Sequence, residues 1–286
     1  MEYGELGRTG RTVSRLGFGG APAGLKNYLE VFDPERAADR DAVTAAVRRA
    51  LELGITYFDT APGYGDGASE RILGEGLKDA PPDNIFLATK VGTWAGGEVR
   101  ASLEKSLRNL RRDWIDLLQV HGSFYTPEQE DLVLRPGGML DQLERLRAEG
   151  LVRHIGFTVE AVNESAYRFI RTGRFDVIQI LYNLLFQHPY DPGLQTGALY
   201  DAEAREMGII TMRTGTSGIF QRWVQAANPE NTFDYTPSLI QFNLSNPLVD
   251  AALVGMRTVD QVEANVRLVE DVAGRIDLGE IFRRYV

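Results

Sequence analysis

The stretch that decides the fold is DAVTAAVRRALELGITYFDTA, residues 41–61, because it passes from a helical pattern to a strand pattern within a few residues. Gly54 predicts the end of the helix, and the run ITYFDTA that follows is nearly continuous in apolar residues. Such a run is typical of a parallel strand that is covered on both faces. The helical stripe is predicted to consist of Ala42, Ala45, Ala46, Ala50 and Leu51.

The same alternation of strand and helix continues along the chain. Helical patterns such as VRASLEKSLRNL (Val99–Leu110) separate short apolar runs. Eight β-then-α units in a chain of 286 residues close most economically into an α/β (β/α)8 TIM barrel, with a doubly wound open sheet as the alternative. The eight predicted strands are Leu16–Gly20, Ile55–Ala61, Asn84–Val91, Ile115–His121, Arg153–Val159, Asp176–Asn183, Gly208–Arg213 and Asp250–Met256.

Other segments predict features at the two ends of this barrel. The N-terminal YGELGRTGRTVSRL favours a β-hairpin, turning at Arg8-Thr9-Gly10, that closes the barrel bottom. Three long connectors, Pro22–Arg40, Gly122–Gly138 and Thr214–Tyr235, follow carboxyl ends of strands, the face on which barrels of this type build active sites. No repeat or linker divides the chain, so residues 1–286 are predicted to form a single domain.

Composition limits the function classes. Hydrophobic residues make up 43% of the chain and charged residues 25%, as in soluble globular proteins. The net charge of -9 argues against nucleic acid or anionic membranes as partners. There is no cysteine and no zinc-binding spacing among the three histidines, so no metal site is predicted. Without a signal-peptide pattern or a long apolar run, the expected location is the cytoplasm. The oligomeric state cannot be predicted from the sequence.

Four polar residues lie at or just after the ends of neighbouring predicted strands: Asp59, Tyr64, Lys90 and His121. In a barrel these ends meet at one rim, so we expect the four side chains to lie close together. Lys90 would pair with the Asp59 carboxylate, which is costly to bury alone. A cation beside Tyr64 would bring the pKa of its phenol, about 10 in free tyrosine, closer to neutrality. The set predicts proton transfer to or from an oxygen atom.

At this point the chain resembles the aldo-keto reductase family over nearly its whole length. The matching motifs are FDTAPGYG, GASERILGEGL, LATKVG, DWIDLLQVHG, LRAEGLVRHIGFT, VIQILYNLL, GIITMR and ALVGMRTVDQVEANV. The resemblance implies that Tyr64 is the general acid, that Lys90 and Asp59 assist it, and that His121 helps to position a carbonyl group. It also implies hydride transfer from a nicotinamide cofactor, NADP(H), with NAD(H) as the alternative.

The family binds its cofactor extended across the barrel mouth, and no GxGxxG motif is present. The resemblance implies that Thr158 and Gln179 hold the carboxamide and that Met212 lies against the nicotinamide ring. The pyrophosphate would be held by Arg213, Thr214, Gly215 and Ser217. The adenosine end would be held by Gly255, Met256, Arg257, Gln261 and Asn265. Arg257 is the expected ligand of the 2′-phosphate, which would favour NADP(H). Thr258 and Gln261 also fit an ordinary helix capping box.

Aromatic residues in the long loops are predicted to line the substrate pocket: Trp94, Phe124, Tyr125, Phe220 and Trp223, with Tyr28 and Phe32 in the first loop. Such walls suit an aldehyde, a ketone or a sugar lactol. Two alternatives are a catalytically idle barrel that senses cofactor or binds a partner, and an isomerase or lyase that forms a Schiff base on Lys90.

Overall fold

The computed structural model describes residues 1–93 and 98–285, and eight parallel strands in these residues form a closed barrel. The barrel strands are β3 (Leu16–Gly19), β4 (Tyr57–Asp59), β5 (Phe86–Gly92), β6 (Ile115–His121), β7 (Val152–Val159), β8 (Val177–Leu181), β9 (Gly208–Met212) and β10 (Ala251–Gly255). Their order around the barrel is β10-β3-β4-β5-β6-β7-β8-β9, so the predicted (β/α)8 barrel is confirmed and the open sheet is excluded.

Helices connect the strands around the outside, and the long connectors contain short helices of their own. The helices are α1 (Ala21–Gly24), α2 (Ala37–Glu52), α3 (Ala68–Leu77), α4 (Val99–Leu110), α5 (Pro127–Leu134), α6 (Met139–Ala148), α7 (Glu164–Arg171), α8 (Ala198–Glu203), α9 (Ile219–Ala227), α10 (Thr236–Leu244), α11 (Val259–Glu270) and α12 (Leu278–Tyr285). Within the described residues, no helix has the length and apolar character needed to cross a membrane.

The N-terminal hairpin closes the bottom of the barrel, as the sequence predicts. Its strands, β1 (Tyr3–Glu5) and β2 (Thr12–Ser14), pair antiparallel. Between them, Leu6 is fully buried and packs with the apolar side chains that fill the lower barrel. The Arg8 side chain donates a hydrogen bond of 2.8 Å to the carbonyl oxygen of Gly173, which fixes the hairpin across the opening.

Helix α2 shows that the predicted apolar stripe was rotated by about one residue. Ala42 and Ala45 are exposed, whereas the buried face consists of Val43, Thr44, Ala46, Val47 and Ala50. Turning the valines inward buries more apolar area than turning alanines inward. The predicted stop is as expected, because Gly54 has a φ of 86° and Ile55 N–H donates to Ala50 O in the manner of a helix C-cap.

The interior of the barrel changes from apolar at the bottom to polar at the mouth. Side chains two residues apart on a strand face the same side, so each strand contributes an inward series. Tyr57 belongs to the buried apolar layer, and Asp59 follows it on the inside. Leu117 is likewise followed by Gln119. The inward side chains therefore form a polar layer at the mouth above an apolar layer in the lower barrel.

Three aspartates tie the bottoms of alternate strands to their neighbours. Asp116, Asp176 and Asp250 accept hydrogen bonds of 2.8–2.9 Å from the backbone N–H groups of Leu87, Ile155 and Ile209 respectively. Burial raises the pKa of both Asp116 and Asp250 to about 6. Ionising these carboxyl groups at neutral pH therefore costs more in the folded chain than in the unfolded chain.

Replacing Asp116 by Asn is expected to raise the free energy of unfolding by about 1–3 kcal/mol at pH 7.5. An amide can still accept from Leu87 N–H but carries no charge to desolvate. As pH falls through 6 toward 4, the wild-type carboxyl becomes protonated, so the advantage of the variant should shrink. Urea unfolding of both proteins at pH 7.5 and 4.5 measures this. A less stable variant at pH 7.5 would instead mean that the ion pair with Arg11 dominates.

Candidate active site

The floor of the barrel mouth is a buried ion pair between neighbouring strands. The Lys90 ammonium at the upper part of β5 donates three hydrogen bonds of 2.7 Å, to both carboxylate oxygens of Asp59 and to the carbonyl oxygen of Thr60. Asp59 is 3% exposed and Lys90 is 1% exposed. These acceptors, together with a hydrogen bond between Lys90 and the Tyr64 side chain, compensate the buried charge.

Tyr64 is held above this pair by tight packing of two loops. Its carbonyl oxygen accepts from Ser69 N–H at the start of α3. A Cβ atom on Gly24 would lie 2.2 Å from that same oxygen, and a Cβ atom on Gly65, whose φ is 68°, would lie 2.1 Å from Gly24 O. Glycine is therefore required at both positions for the Tyr64 loop to lie against α1.

The rings of Tyr64 and His121 complete the group. The Lys90 ammonium lies 5.0 Å from the centre of the Tyr64 ring. The His121 ring meets the Tyr64 ring edge-on, with 5.8 Å between ring centres. The structure thus brings together all four residues that the sequence predicts at one rim.

Burial sets the protonation states of this group. Burial raises the pKa of Tyr64, and although Lys90 acts in the opposite direction it does not offset the effect. Lys90 thus acts in the expected direction, but its effect on the Tyr64 pKa is smaller than that of burial, and the phenol is protonated at neutral pH. Burial, followed by repulsion from Lys90, lowers the pKa of His121 to about 3, so its imidazole is neutral.

The ion pair itself remains charged. Burial opposes the Lys90 cation, but the attraction of the Asp59 carboxylate and the hydrogen bonds of the ammonium outweigh burial and raise the lysine pKa. Burial also raises the pKa of Asp59, while hydrogen bonds from Lys90 and Gln119 limit the rise. Acceptance by both carboxyl oxygens at 2.7 Å fits the ionised carboxylate.

Gln119 is a site residue that the sequence analysis missed. Its side-chain amide donates to Asp59 at 3.3 Å and to the Gln179 side-chain oxygen at 3.0 Å, and it is fully buried. It thereby connects the ion pair to a residue predicted to hold the cofactor. The available signal was a polar residue two positions before His121 in the upper half of the strand, a spacing that places both side chains inside the barrel.

A cavity of ≈ 520 Å³ opens above the ion pair and extends to the start of α11. The predicted cofactor residues that line it are Thr158, Gln179, Met212, Arg213, Thr214, Gly215, Ser217, Gly255 and Gln261. The cavity wall also includes three charged residues that the sequence analysis did not assign, Glu30, Glu160 and Arg222. The cavity runs from the tetrad formed by Asp59, Tyr64, Lys90 and His121 to the far end of the mouth, as an extended ligand requires.

Several predicted ligands already have protein partners. The Thr158 hydroxyl donates to Gly122 O at 2.7 Å and accepts from Gly122 N–H at 3.0 Å. The Thr214 hydroxyl donates to Leu253 O. Met256 and Asn265 are buried and do not line the cavity. Gln261 accepts from Arg257 N–H at 2.7 Å, so it does not close the predicted capping box with Thr258.

The loop after β9 has an unusual backbone. Arg213, Thr216 and Ser217 have φ values of 51–56°, in the left-handed region, and Gly218 follows at 70°. Consecutive turned residues of this kind form concavities that present N–H groups to anions. Arg213 forms an ion pair of 2.7 Å with Glu160, and this pair stands between the main cavity and a second cavity of ≈ 490 Å³.

Four of the aromatic residues predicted for the substrate pocket, Phe124, Tyr125, Phe220 and Trp223, do not line the main cavity. Tyr125 is fully buried, so the prediction that it lies at the pocket rim is wrong. Its hydroxyl hydrogen-bonds to Thr158 O and Val120 O, and its ring packs against Phe169. Phe124 and Trp223 are exposed, and Phe220 packs edge-on against Tyr235. Trp94 lies outside the described residues. In the first long loop, Tyr28 lines the cavity, whereas Phe32 is buried.

Known proteins resemble the chain over most of its length. L-galactose dehydrogenase of Arabidopsis thaliana is 32% identical, in an alignment that covers 95% of this chain and 89% of the plant protein. D-threo-aldose 1-dehydrogenase of a Pseudomonas species is 32% identical, with coverage of 90% and 89%. The crystal structure of an aldo-keto reductase from Klebsiella pneumoniae in complex with NADPH has the same fold, with a TM-score of 0.72, 21% identity and coverage of 99% and 94%.

The family assignment follows from the match over the barrel. The sequence model described as "Aldo/keto reductase family" matches residues 15–241, from the first barrel strand through most of α10. The two relatives at 32% identity are both named as dehydrogenases. The chain therefore belongs to the aldo/keto reductase family and is an oxidoreductase that acts on carbonyl or CH–OH groups.

Proposed function

We propose that this protein exchanges a hydride between a nicotinamide cofactor, NADP(H) or NAD(H), and a sugar substrate, oxidising the lactol form of an aldose to a lactone or running in reverse. Small aldehydes and ketones would be secondary substrates. The observation that carries this proposal is the charged Lys90–Asp59 pair beneath Tyr64 at the floor of a cavity of ≈ 520 Å³. The names of the two 32% identical relatives support the sugar substrate class.

Tyr64 would move the proton at the substrate oxygen. In reduction, its phenol donates a proton as the carbonyl oxygen gains negative charge, and the neighbouring Lys90 cation stabilises the phenolate that remains. In oxidation, the phenolate would accept the hydroxyl proton of the lactol while a hydride leaves the carbon that bears this hydroxyl and passes to the cofactor. Asp59 keeps the ammonium charged and in place. The neutral His121 would orient the substrate oxygen by a hydrogen bond.

The cofactor supplies or accepts the hydride when it is bound. Gln179 in the middle of β8 and Met212 at the end of the neighbouring β9 line the cavity beside the tetrad, which suits the nicotinamide end. The turned loop from Arg213 to Gly218 suits a pyrophosphate, with Arg213 and Arg222 as the nearby cations. Reaching an anion would require Arg213 to leave Glu160.

The test is oxidation of a panel of aldoses with NADP⁺ or NAD⁺, followed through the absorbance of the reduced nicotinamide. Each aldose is paired with its methyl glycoside, which has no free lactol hydroxyl and should give no reaction. Turnover of aldoses with release of lactone supports the proposal. Turnover of simple aldehydes with no aldose activity would refute the sugar class, and cofactor binding without any turnover would favour an idle barrel.

His121 is expected to influence the rate without shaping the pH profile. Because its pKa is lowered to about 3, the imidazole stays neutral between pH 5 and 9. The His121→Asn variant should therefore lower kcat/KM by about 10–100-fold at every pH in this range, through loss of orientation. Measuring kcat/KM from pH 5 to 9 checks this. An acidic limb near pH 6 that disappears in the variant would show that the imidazole titrates.

A further inference from the structure

The side chain of Arg257, the expected ligand of the 2′-phosphate, is held by the first long loop. Its Nε donates to Pro22 O at 2.9 Å, and its Nη2 donates to Tyr28 O at 2.7 Å. The guanidinium carbon lies 4.2 Å from the centre of the Phe32 ring, and the side chain is 9% exposed. Arg257 therefore holds the first long loop at Pro22, Tyr28 and Phe32, and we name these three contacts the first-loop clasp.

These contacts occupy the edges that arginine presents to phosphate. A guanidinium binds a phosphate best through two parallel N–H groups. The Nε–Nη2 edge already donates to two carbonyl oxygens, and Nη1 lies 3.8 Å from the carboxylate of Glu30. On the Nε–Nη2 edge, a phosphate could gain a bidentate contact only by displacing the carbonyl oxygens of Pro22 and Tyr28, and at the Nη1 end it would have to displace the Glu30 carboxylate. Arg257 therefore does not stand ready for a phosphate.

Glu30 adds an unfavourable charge at the same end of the cavity. It lines the cavity together with Gly255 and Gln261, which frame the entrance to α11. Its side chain is 67% exposed, so it remains accessible to a ligand. A carboxylate repels a phosphate group but accepts hydrogen bonds from ribose hydroxyls, as acids do in sites that prefer NAD.

We propose that Arg257 anchors the first long loop rather than binding the 2′-phosphate, and that with Glu30 beside it the protein binds NAD(H) at least as tightly as NADP(H). This inference rests on the proposed use of a nicotinamide cofactor. It assigns Arg257 a positioning role that affects both cofactors alike, through the loop wall formed by Tyr28 and Leu29. Glu30 becomes the residue that discriminates between them.

The test compares dissociation constants of NADPH and NADH, measured by quenching of tryptophan fluorescence at one ionic strength. In the wild type, the Kd of NADPH should equal or exceed that of NADH. Arg257→Met should weaken both cofactors by a similar factor and speed tryptic cleavage after Lys26, an exposed residue in the clasped loop. Glu30→Gln, at an exposed position, should tighten NADPH about 3–10-fold, whereas NADH, which loses a carboxylate acceptor for its ribose hydroxyls, should bind no more tightly than to the wild type.

Two results would contradict this inference, and they can be told apart. Wild-type binding of NADPH at least tenfold tighter than NADH, with that preference lost in Arg257→Met, would make Arg257 the phosphate ligand and overturn the inference. Failure of both cofactors to bind would overturn the proposed function, and this inference with it. The two failures are distinguishable because the first requires measurable binding of at least one cofactor.

Discussion

Tyr64→Phe is expected to lower kcat/KM by about 10²–10⁴-fold while leaving the Kd of the cofactor unchanged. The variant keeps the ring beside Lys90 and His121 and loses the hydroxyl that we propose exchanges the proton. Because burial raises the tyrosine pKa, the donor is protonated at neutral pH. Wild-type reduction should therefore fall only at alkaline pH, whereas oxidation, which needs the phenolate, should rise with pH.

The matched control is Tyr167→Phe, which removes a tyrosine hydroxyl from helix α7 on the outside of the barrel. Its kcat/KM should equal that of the wild type. Steady-state kinetics in both directions, together with cofactor titrations, separate chemistry from binding. If Tyr64→Phe keeps more than a tenth of the wild-type kcat/KM, another group must supply the proton, and the assigned role of Tyr64 fails.

Lys90→Met is expected to lower the free energy of unfolding by about 3–5 kcal/mol, and to abolish activity. The replacement leaves the Asp59 carboxylate buried at 3% exposure without its cation, with Gln119 as a weak remaining donor at 3.3 Å. Denaturant unfolding at pH 7.5 measures the loss. Stability equal to the wild type would mean that the Asp59 carboxyl is readily protonated in the folded protein.

The double variant Asp59→Leu, Lys90→Met separates the structural role of the pair from its chemical role. Replacing a buried ion pair by apolar side chains of similar volume is often neutral for stability. We therefore expect the double variant to recover most of the unfolding free energy lost in Lys90→Met, and to remain inactive. Recovered activity would contradict the assigned role of Lys90 beside Tyr64.

The barrel and its tetrad were predictable because they depend on local patterns that topology converts into proximity. Apolar runs define strands, and parallel closure brings their carboxyl ends to one rim. Asp59 and Lys90 could thus be paired from sequence although they are far apart along the chain. Gln119 was equally accessible to this reasoning, since it shares the inward face of β6 with His121.

The properties that could not be predicted depend on how loops pack. Nothing local shows that Tyr125 turns into the core, where its hydroxyl reaches two backbone carbonyl oxygens, or that Arg257 turns toward a loop more than two hundred residues earlier. The raised pKa of Tyr64 likewise depends on how completely the loops enclose it. In α2, the spacing of apolar residues was compatible with two adjacent faces of the helix, and the packing of Val43 and Val47 determines which face points to the core.

The alternation of side chains along β4 and β6 lets these strands evolve two properties independently. Phe58 and Leu118 point outward and pack under the helices, whereas Asp59 and Gln119 point inward at the mouth. Substitutions in the outward set can therefore tune thermal tolerance while leaving the reacting groups unmoved. Substitutions in the loops above can change the walls of the cavity while the Lys90–Asp59 pair below them is kept. One scaffold can in this way diversify its substrates without rebuilding its core.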